Sequence, residues 1–328
     1  MTHEGEIIPK KKPCPPMAKS SDPKTYPPIH IPVLLDEATQ LLAPVDGGIY
    51  VDGTLGLGGH SEKILQLCSP SGQVIGFEWD ANALELATKR LSPFGQRFSA
   101  QHRSYSEIMD GLTEMGIQKV DGVLLDLGVS SLQFDNETRG FSFQADGPLD
   151  MRMDRRRHST AEKIINNFSK DDLADIFYYF GEERQARRIA SHIVEERKKE
   201  YISTTSHLAH IVSSSIPKKF HPRKIHVATK VFQALRIAVN EELDNLTAIF
   251  DFITKILTPG GRVCIITFHS LEDRLVKWKF RDNSLLEILT KKPITPSDEE
   301  IKMNPRSRSA KLRAAYMKVD QREESQNG

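Results

Sequence analysis

From residue 48 onward, short apolar runs alternate with amphipathic stretches, a pattern that predicts βαβ units and a parallel sheet. Ile49-Tyr50-Val51-Asp52 reads as a first strand. A glycine-rich turn over Gly53–Gly59 follows, and then a helix from about Ser61. Val74–Glu78 reads as a second strand with a helix over Ala81–Leu91, Arg97–His102 as a weaker third, and Val123–Asp126 as a fourth. The alternation then stops. Residues 139–225 hold no convincing buried strand but carry helical patterns, clearest over Ala161–Asn167, Lys170–Phe180 and Glu183–Lys199. One long helix is predicted over Thr229–Leu257, where Phe232, Leu235, Val239, Leu243, Leu246, Phe250, Ile253 and Leu257 recur at three- and four-residue steps. Beyond Pro259-Gly260-Gly261, Val263–Thr267 reads as a fifth, buried strand. Ser270 and Asp273 fit a capping box, and Leu286–Thr290 with Leu312–Val319 fit a closing antiparallel pair.

These changes of period divide the chain into an α/β domain built from residues 28–138 and 226–328 and a helical insert over 139–225. Residues 1–27 are polar and proline-rich and predict a disordered arm. The arm lacks the apolar core of a secretory signal. Its Glu4 and Glu6, and its lack of arginine, are unlike a transit peptide. No apolar run approaches the roughly 20 residues that span a bilayer, so no membrane partner is expected. Cys14, Cys68 and Cys264 form no C-x-x-C pair and no zinc spacing, so no metal is expected, and an odd count suits a reducing cytoplasm. Net charge is only +1, so a nucleic-acid surface would have to come from local runs such as Arg152–Arg157, Lys218–Lys230 and Lys302–Arg313. Taken singly, each run is equally a solvated face.

In an open α/β sheet, ligands sit beyond the carboxyl ends of the strands. The first strand ends in Asp52-Gly53-Thr54-Leu55-Gly56-Leu57-Gly58-Gly59-His60, where closely spaced glycines let backbone N–H groups approach a ligand. Glu78 ends the second strand about twenty residues on, where an acid accepts hydrogen bonds from a ribose diol. A dinucleotide fingerprint needs a third glycine where Ser61 stands, and a triphosphate loop would end in Gly-Lys-Ser/Thr. Spacing alone therefore favours a sulfonium amino acid joined to adenosine and leaves a dehydrogenase as the alternative.

Longer motifs go further. Asp126-Leu-Gly-Val-Ser-Ser131, Arg139-Gly-Phe-Ser-Phe143 and Asp146-Gly-Pro-Leu-Asp-Met-Arg-Met-Asp154 resemble the ribosomal small-subunit methyltransferase H family, cytosine-N4 methyltransferases of 16S rRNA. So do His30–Ala38, Gly181-Glu-Glu-Arg184, Phe232-Gln-Ala-Leu-Arg236, Phe268-His-Ser-Leu-Glu-Asp-Arg274 and Asn304-Pro-Arg-Ser-Arg-Ser-Ala-Lys-Leu-Arg313. The matches run in order from about residue 29 to 317. The resemblance implies a class I S-adenosylmethionine-dependent methyltransferase sheet, Rossmann-like, with an inserted helical substrate-recognition domain. It implies as substrate a cytosine in the decoding region of small-subunit rRNA, within the small ribosomal subunit. By motif position it implies cofactor contacts from Gly58, Gly59, His60, Glu78, Tyr105, Asp126 and Gln133. Two departures stand out: Glu78 replaces the family's usual aspartate, and His226-Val-Ala-Thr229 replaces its usual His/Asp-Pro-Ala-Thr.

Cytosine N4 is a weak nucleophile because its lone pair is delocalised into the ring. An enzyme helps by holding nitrogen and methyl in line and by offering acceptors to the N4 hydrogens. Asp126 and Asp150 are the candidate catalytic acids, with Asp146 a further acceptor. Thr229, Gln233, Arg236 and Asn240 fall at helical steps on one side of the long helix, a side that is either solvated or faces the target nucleotide, and His269 ends the fifth strand. Phe141, Phe143 and Tyr105 are candidate stacking platforms for a splayed-out base, whereas Met151 and Met153 read as core. Arg152, Arg155, Arg156, Arg157, Arg306 and Arg308 are candidate RNA contacts, together with Arg184, Arg187, Arg188, Lys218, Lys219, Arg223, Lys224, Lys311 and Arg313. A non-catalytic ribosome-assembly factor is the other class to weigh. The intact glycine loop with Glu78 and Asp126 counts against it.

Overall fold

Five short, largely apolar segments produce the centre of the protein. The computed structural model describes residues 32–319, and the expected arm over 1–27, with Cys14, lies outside the described residues. Helix α1 (Leu35–Leu42) precedes β1 (Ile49–Asp52), α2 (Gly59–Leu67), β2 (Gln73–Phe77), α3 (Ala81–Leu91) and β3 (Phe98–Gln101). Next come α4 (Ile108–Glu114), β4 (Val120–Asp126) and the short α5 (Ser131–Asp135). The strands join in the order β3-β2-β1-β4 and continue into β5 (Leu257–Thr267), all parallel. The sheet closes with β7 (Lys311–Met317), antiparallel to both β5 and β6 (Leu286–Ile288). This is the doubly wound class I methyltransferase sheet that the motifs led us to expect, including the closing antiparallel pair.

Successive strand residues point to opposite faces, and both faces are covered. Val51, Ile75, Val123, Leu125, Val263 and Ile265 pack under α4, α11 (Glu242–Ile256) and α12 (Ser270–Asp282). Tyr50, Val74, Leu124, Cys264 and Ile266 pack under α1, α2 and α3. Each buried Leu or Ile contributes about 1.5–3 kcal/mol. Cys68 and Cys264 are both buried free thiols.

A third cluster lies between β4 and β5 in sequence. Helices α6 (Ala161–Asn167), α7 (Lys170–Tyr179), α8 (Ala186–Glu196) and α9 (Thr205–Ser215) bury Ile164, Leu173, Phe177, Ile189, Ile193 and Val212 with Met151 and Met153. They share this cluster with Val231, Leu235 and Val239 of α10 (Thr229–Asn240). Helix α13 (Asp298–Met303) precedes β7.

Three local expectations fail. The single helix over Thr229–Leu257 is two helices, because Glu241 adopts a left-handed conformation (φ 52°, ψ 41°) between α10 and α11. The apolar period survives the break, so periodicity could not reveal it. Helix α12 is capped not by Ser270 and Asp273 but by His269, whose side chain accepts from the Glu272 N–H while the Glu272 carboxylate accepts from the His269 N–H. Asp273 instead holds Lys311 and Arg313. Strand β5 begins at Leu257 rather than Val263, and its register with β4 jumps from Val120↔Leu257 to Gly122↔Arg262, so Pro259-Gly260-Gly261 forms an irregularity within the strand.

Candidate active site

Three carboxylates gather at the carboxyl ends of β1, β2 and β4, beside the point where the strand order reverses. Asp52 is buried and accepts from Ser61 Oγ at 2.7 Å and from the Thr54 N–H at 3.2 Å. Burial nevertheless pushes its pKa up to about 6, with these hydrogen bonds opposing. Glu78 is buried just past β2 and accepts from the Gly56 N–H at 2.8 Å and the Asp80 N–H at 2.9 Å. Burial raises it to about 7. Asp126 is raised well above the usual carboxylate range by burial first, then by Asp52, Glu272 and Glu300. Its Oδ1 is buried without a hydrogen-bond partner, and its Oδ2 lies 3.8 Å from His60 Nδ1. The other ring nitrogen of His60 lies 3.0 Å from the Val33 carbonyl.

The loop between Asp52 and His60 is shaped by its glycines. Gly58 caps α2 at φ 77°, and a Cβ there would meet Leu91 Cδ1 at 2.9 Å. At Gly59 a Cβ would lie 2.3 Å from Pro32 Cγ. These two glycines therefore serve backbone packing as well as any ligand. At Gly56 (φ 53°) a Cβ would make only an ordinary contact, 3.8 Å from the Thr54 carbonyl oxygen, and the residue directs its N–H to Glu78, joining the loop to the second acid.

The remaining expected contacts are held a step further out. Tyr105 is buried, its ring tilted against Trp79 with centroids 5.6 Å apart, and its hydroxyl donates to the Glu242 carbonyl. That burial removes it from the candidate base platforms. Gln133 is buried, donates to Asp80 Oδ2 at 3.0 Å and caps α5 with Ser130. Asp80 also accepts from the buried Arg139 guanidinium, which in turn donates to the Arg152 and Met153 carbonyls. Arg139 thus ties the acid-bearing strand ends to the Asp146–Asp154 segment. Sequence reasoning gave it no role, although it opens one of the motifs.

Immediately beyond Asp126, residues Leu127, Gly128 and Val129 form one wall of a cavity of about 670 Å³. Phe134, Phe141, Phe143 and Phe268 supply its aromatic surface, and Thr229, Gln233, Arg236 and His269 its polar one. The structure thus gathers Phe141, Phe143, Thr229, Gln233, Arg236 and His269 in one place. Asn240 is excluded: it is fully buried and bonds the Met153 N–H and the Met151 carbonyl. Asp150 is occupied by Arg152 through Nε at 2.7 Å and Nη2 at 2.8 Å, which holds its pKa below the usual range against the opposing effect of burial. Asp146 accepts from Ser206.

Several candidate RNA-binding cations already have partners. Arg152 is held by Asp150, Arg156 by Asp154, Arg157 by Glu241 and Arg306 by Asp135. Lys311 and Arg313 are held by Asp273. Arg155 and Arg308 are exposed, and their side chains make no hydrogen bond or ion pair among the described residues, although the Arg155 carbonyl accepts from Arg152. Glu242, His269 and Glu272 bring their side-chain ligand atoms within 4.8 Å of one another. However, the Arg236 fork already spans both oxygens of Glu242.

Residues 28–318 match the MraW methylase family. The chain belongs to that family. It is 56% identical over 287 residues to the ribosomal RNA small subunit methyltransferase H of Desulfotalea psychrophila, covering 88% of this chain and 97% of the relative. The protein of that name from a Cyanothece species is 50% identical over 287 residues, covering 88% and 94%. That from Geotalea uraniireducens is 45% identical over 304 residues, covering 87% and 97%. S-adenosylmethionine is the cofactor of this methylase, and the strand-end chemistry fits it. Asp52 and Glu78 are buried and Asp126 is half-buried with one orphaned oxygen, and among the described residues no lysine or arginine forms an ion pair with any of the three. A ligand bearing a sulfonium, an ammonium and a ribose diol offers two charges and two donors to such a set. Among the described residues no helix is long and apolar enough to cross a membrane.

Proposed function

We propose that this methylase transfers a methyl group to N4 of a cytosine in the decoding region of 16S rRNA, within the small ribosomal subunit and in the cytoplasm. The observation that carries the reading is the position of Asp126. Its unpartnered Oδ1 belongs to the acid set beside the glycine loop, and the residues that follow it form the wall of an aromatic-lined cavity. The names of the curated relatives support small-subunit rRNA as the substrate class.

When bound, S-adenosylmethionine supplies an electrophilic methyl on a cationic sulfur. Gly58, Gly59, His60, Glu78, Tyr105 and Gln133 would hold the donor in place, Glu78 by accepting from the ribose hydroxyls. Phe141 and Phe143 flank a base taken out of its stack, and the cavity excludes water from it. Asp126 accepts a hydrogen bond from the N4 amine, which localises the nitrogen lone pair for in-line attack and receives the proton that N4 sheds. Asp150, by holding Arg152, shapes the loop that carries the neighbouring arginines. The helices within 139–225 act as the substrate-recognition insert of a domain built from 28–138 and 226–328. Arg152, Arg155, Arg156, Arg157, Arg306 and Arg308 line the RNA approach, with the unpaired Arg155 and Arg308 best placed to take phosphates.

The test is mass mapping of small-subunit rRNA from cells lacking the gene. One N4-methylated cytosine should revert to cytosine, and wild-type protein, but not Asp126→Asn, should restore it. An unchanged methylation map would overturn the assignment.

A further inference from the structure

Arg236 is held on one edge only. Its Nε and Nη2 each donate to Glu242 at 2.8 Å, a two-bond fork, while Nη1 has no hydrogen-bond partner among the described residues. Nη1 is also not among the buried unpartnered atoms, and the residue lines the cavity that begins at Leu127, so its free edge opens on that cavity. The clamp is itself built in. Six residues along an unbroken α-helix lie about 240° apart round its axis, which would turn Glu242 away from Arg236. The left-handed Glu241 between α10 and α11 brings them together. Glu242 is buried, and its pKa is lowered by Arg236 and His269 in spite of that burial. His269 Nε2 lies 3.9 Å away and is fixed in turn by capping α12.

A guanidinium clamped along one edge presents a rigid pair of N–H donors on the other. Of the pyrimidines, only cytosine carries two adjacent acceptors, N3 and O2, on the edge that also bears the N4 amine. Uracil places an N3–H there. We propose that Arg236 is the specificity-determining residue, donating its free edge to N3 and O2 of the target base and so turning N4 toward Asp126. This assignment rests on the cytosine-N4 reading above.

The experiment compares two substrates, small-subunit RNA with cytidine or with 3-deazacytidine at the modified position. The latter keeps the amine and O2 but has C–H in place of N3. Wild-type protein should prefer cytidine, and Arg236→Lys, which keeps a charge for Glu242 but offers no second edge, should lose about five- to hundredfold of that preference in kcat/KM. Because each enzyme is read as a ratio of two substrates, any intrinsic change in amine reactivity cancels. Arg236→Gln combined with Glu242→Gln leaves no buried charge unpaired and should show the same loss if the lysine variant fails to fold. Affinity for S-adenosylmethionine, read alongside, should stay at the wild-type value. Equal preference in wild type and variants would overturn the role of Arg236. If wild-type protein methylated N4 of neither RNA, the cytosine-N4 reading itself would fail.

Discussion

Glu78 makes the carboxyl end of β2 a source of measurable instability. Its carboxyl rises from 4.5 to about 7 because burial outweighs the two N–H groups donated to it. A group that binds its proton more tightly folded than unfolded stabilises the fold at low pH. That contribution is complete below about 4.5, fades as pH climbs, and is gone above about 7. That difference between folded and unfolded chain corresponds to about 3 kcal/mol over the whole window, of which about 2 kcal/mol falls between pH 5.5 and pH 8. Glu78→Gln removes the titration. A glutamine offers only one carbonyl oxygen, so either the Gly56 or the Asp80 N–H loses its partner, at about 1–3 kcal/mol. The variant is therefore less stable than wild type at pH 5.5 and close to it at pH 8.

The assay is urea unfolding of both proteins at the two pH values. Asp52, raised to about 6, titrates in both and largely cancels in the comparison. Wild type should lose about 2 kcal/mol more than Glu78→Gln between pH 5.5 and 8. Cofactor binding should show the mirror image. On the proposed role of Glu78, acceptance from both ribose hydroxyls is strongest when the acid is ionised, so wild-type affinity for S-adenosylmethionine should tighten by up to about thirtyfold over that interval, while the variant binds weakly and with a flatter profile. Parallel stability curves for the two proteins would refute the claim that an uncompensated acid is buried at this strand end.

Other changes have distinct signatures. Asp126→Asn should lower kcat about a hundredfold or more without unfolding the protein, checked by single-turnover methyl transfer beside circular dichroism. Wild-type turnover would remove the acid from the mechanism. Arg139→Ala strands the buried Asp80 carboxylate and should cost about 3–5 kcal/mol in urea unfolding. Arg155→Glu and Arg308→Glu should each flatten the dependence of RNA affinity on salt, lowering the log–log slope by about one. Arg156→Glu, whose native charge is already matched by Asp154, should change it less, and filter binding across a salt series distinguishes the two cases.

Much of this was legible before any coordinates, and the reasons are local. The central strands announced themselves because a strand buried on both faces is a short apolar run between turns, and Ala81–Leu91 and Ala161–Asn167 came out to the residue because helix caps are written in adjacent side chains. Glycines and terminal acids foretold the cluster of carboxylates beside the β1 loop, since few residue types serve a tight turn or end a buried strand in a charge. What stayed hidden depends on pairs far apart in sequence. Arg139 reaches Asp80 across 59 positions, and no spacing rule reports that. The break at Glu241 was invisible for a different reason: the apolar stripe continues through it, so the core gives no reason for the helix to stop there. The polar network does. Only by interrupting the helix can Glu242 turn back onto Arg236, leaving one edge of that guanidinium open to the cavity while the other is fixed. A conformational cost borne where the hydrophobic pattern asks for none is the mark of a residue placed for chemistry rather than packing.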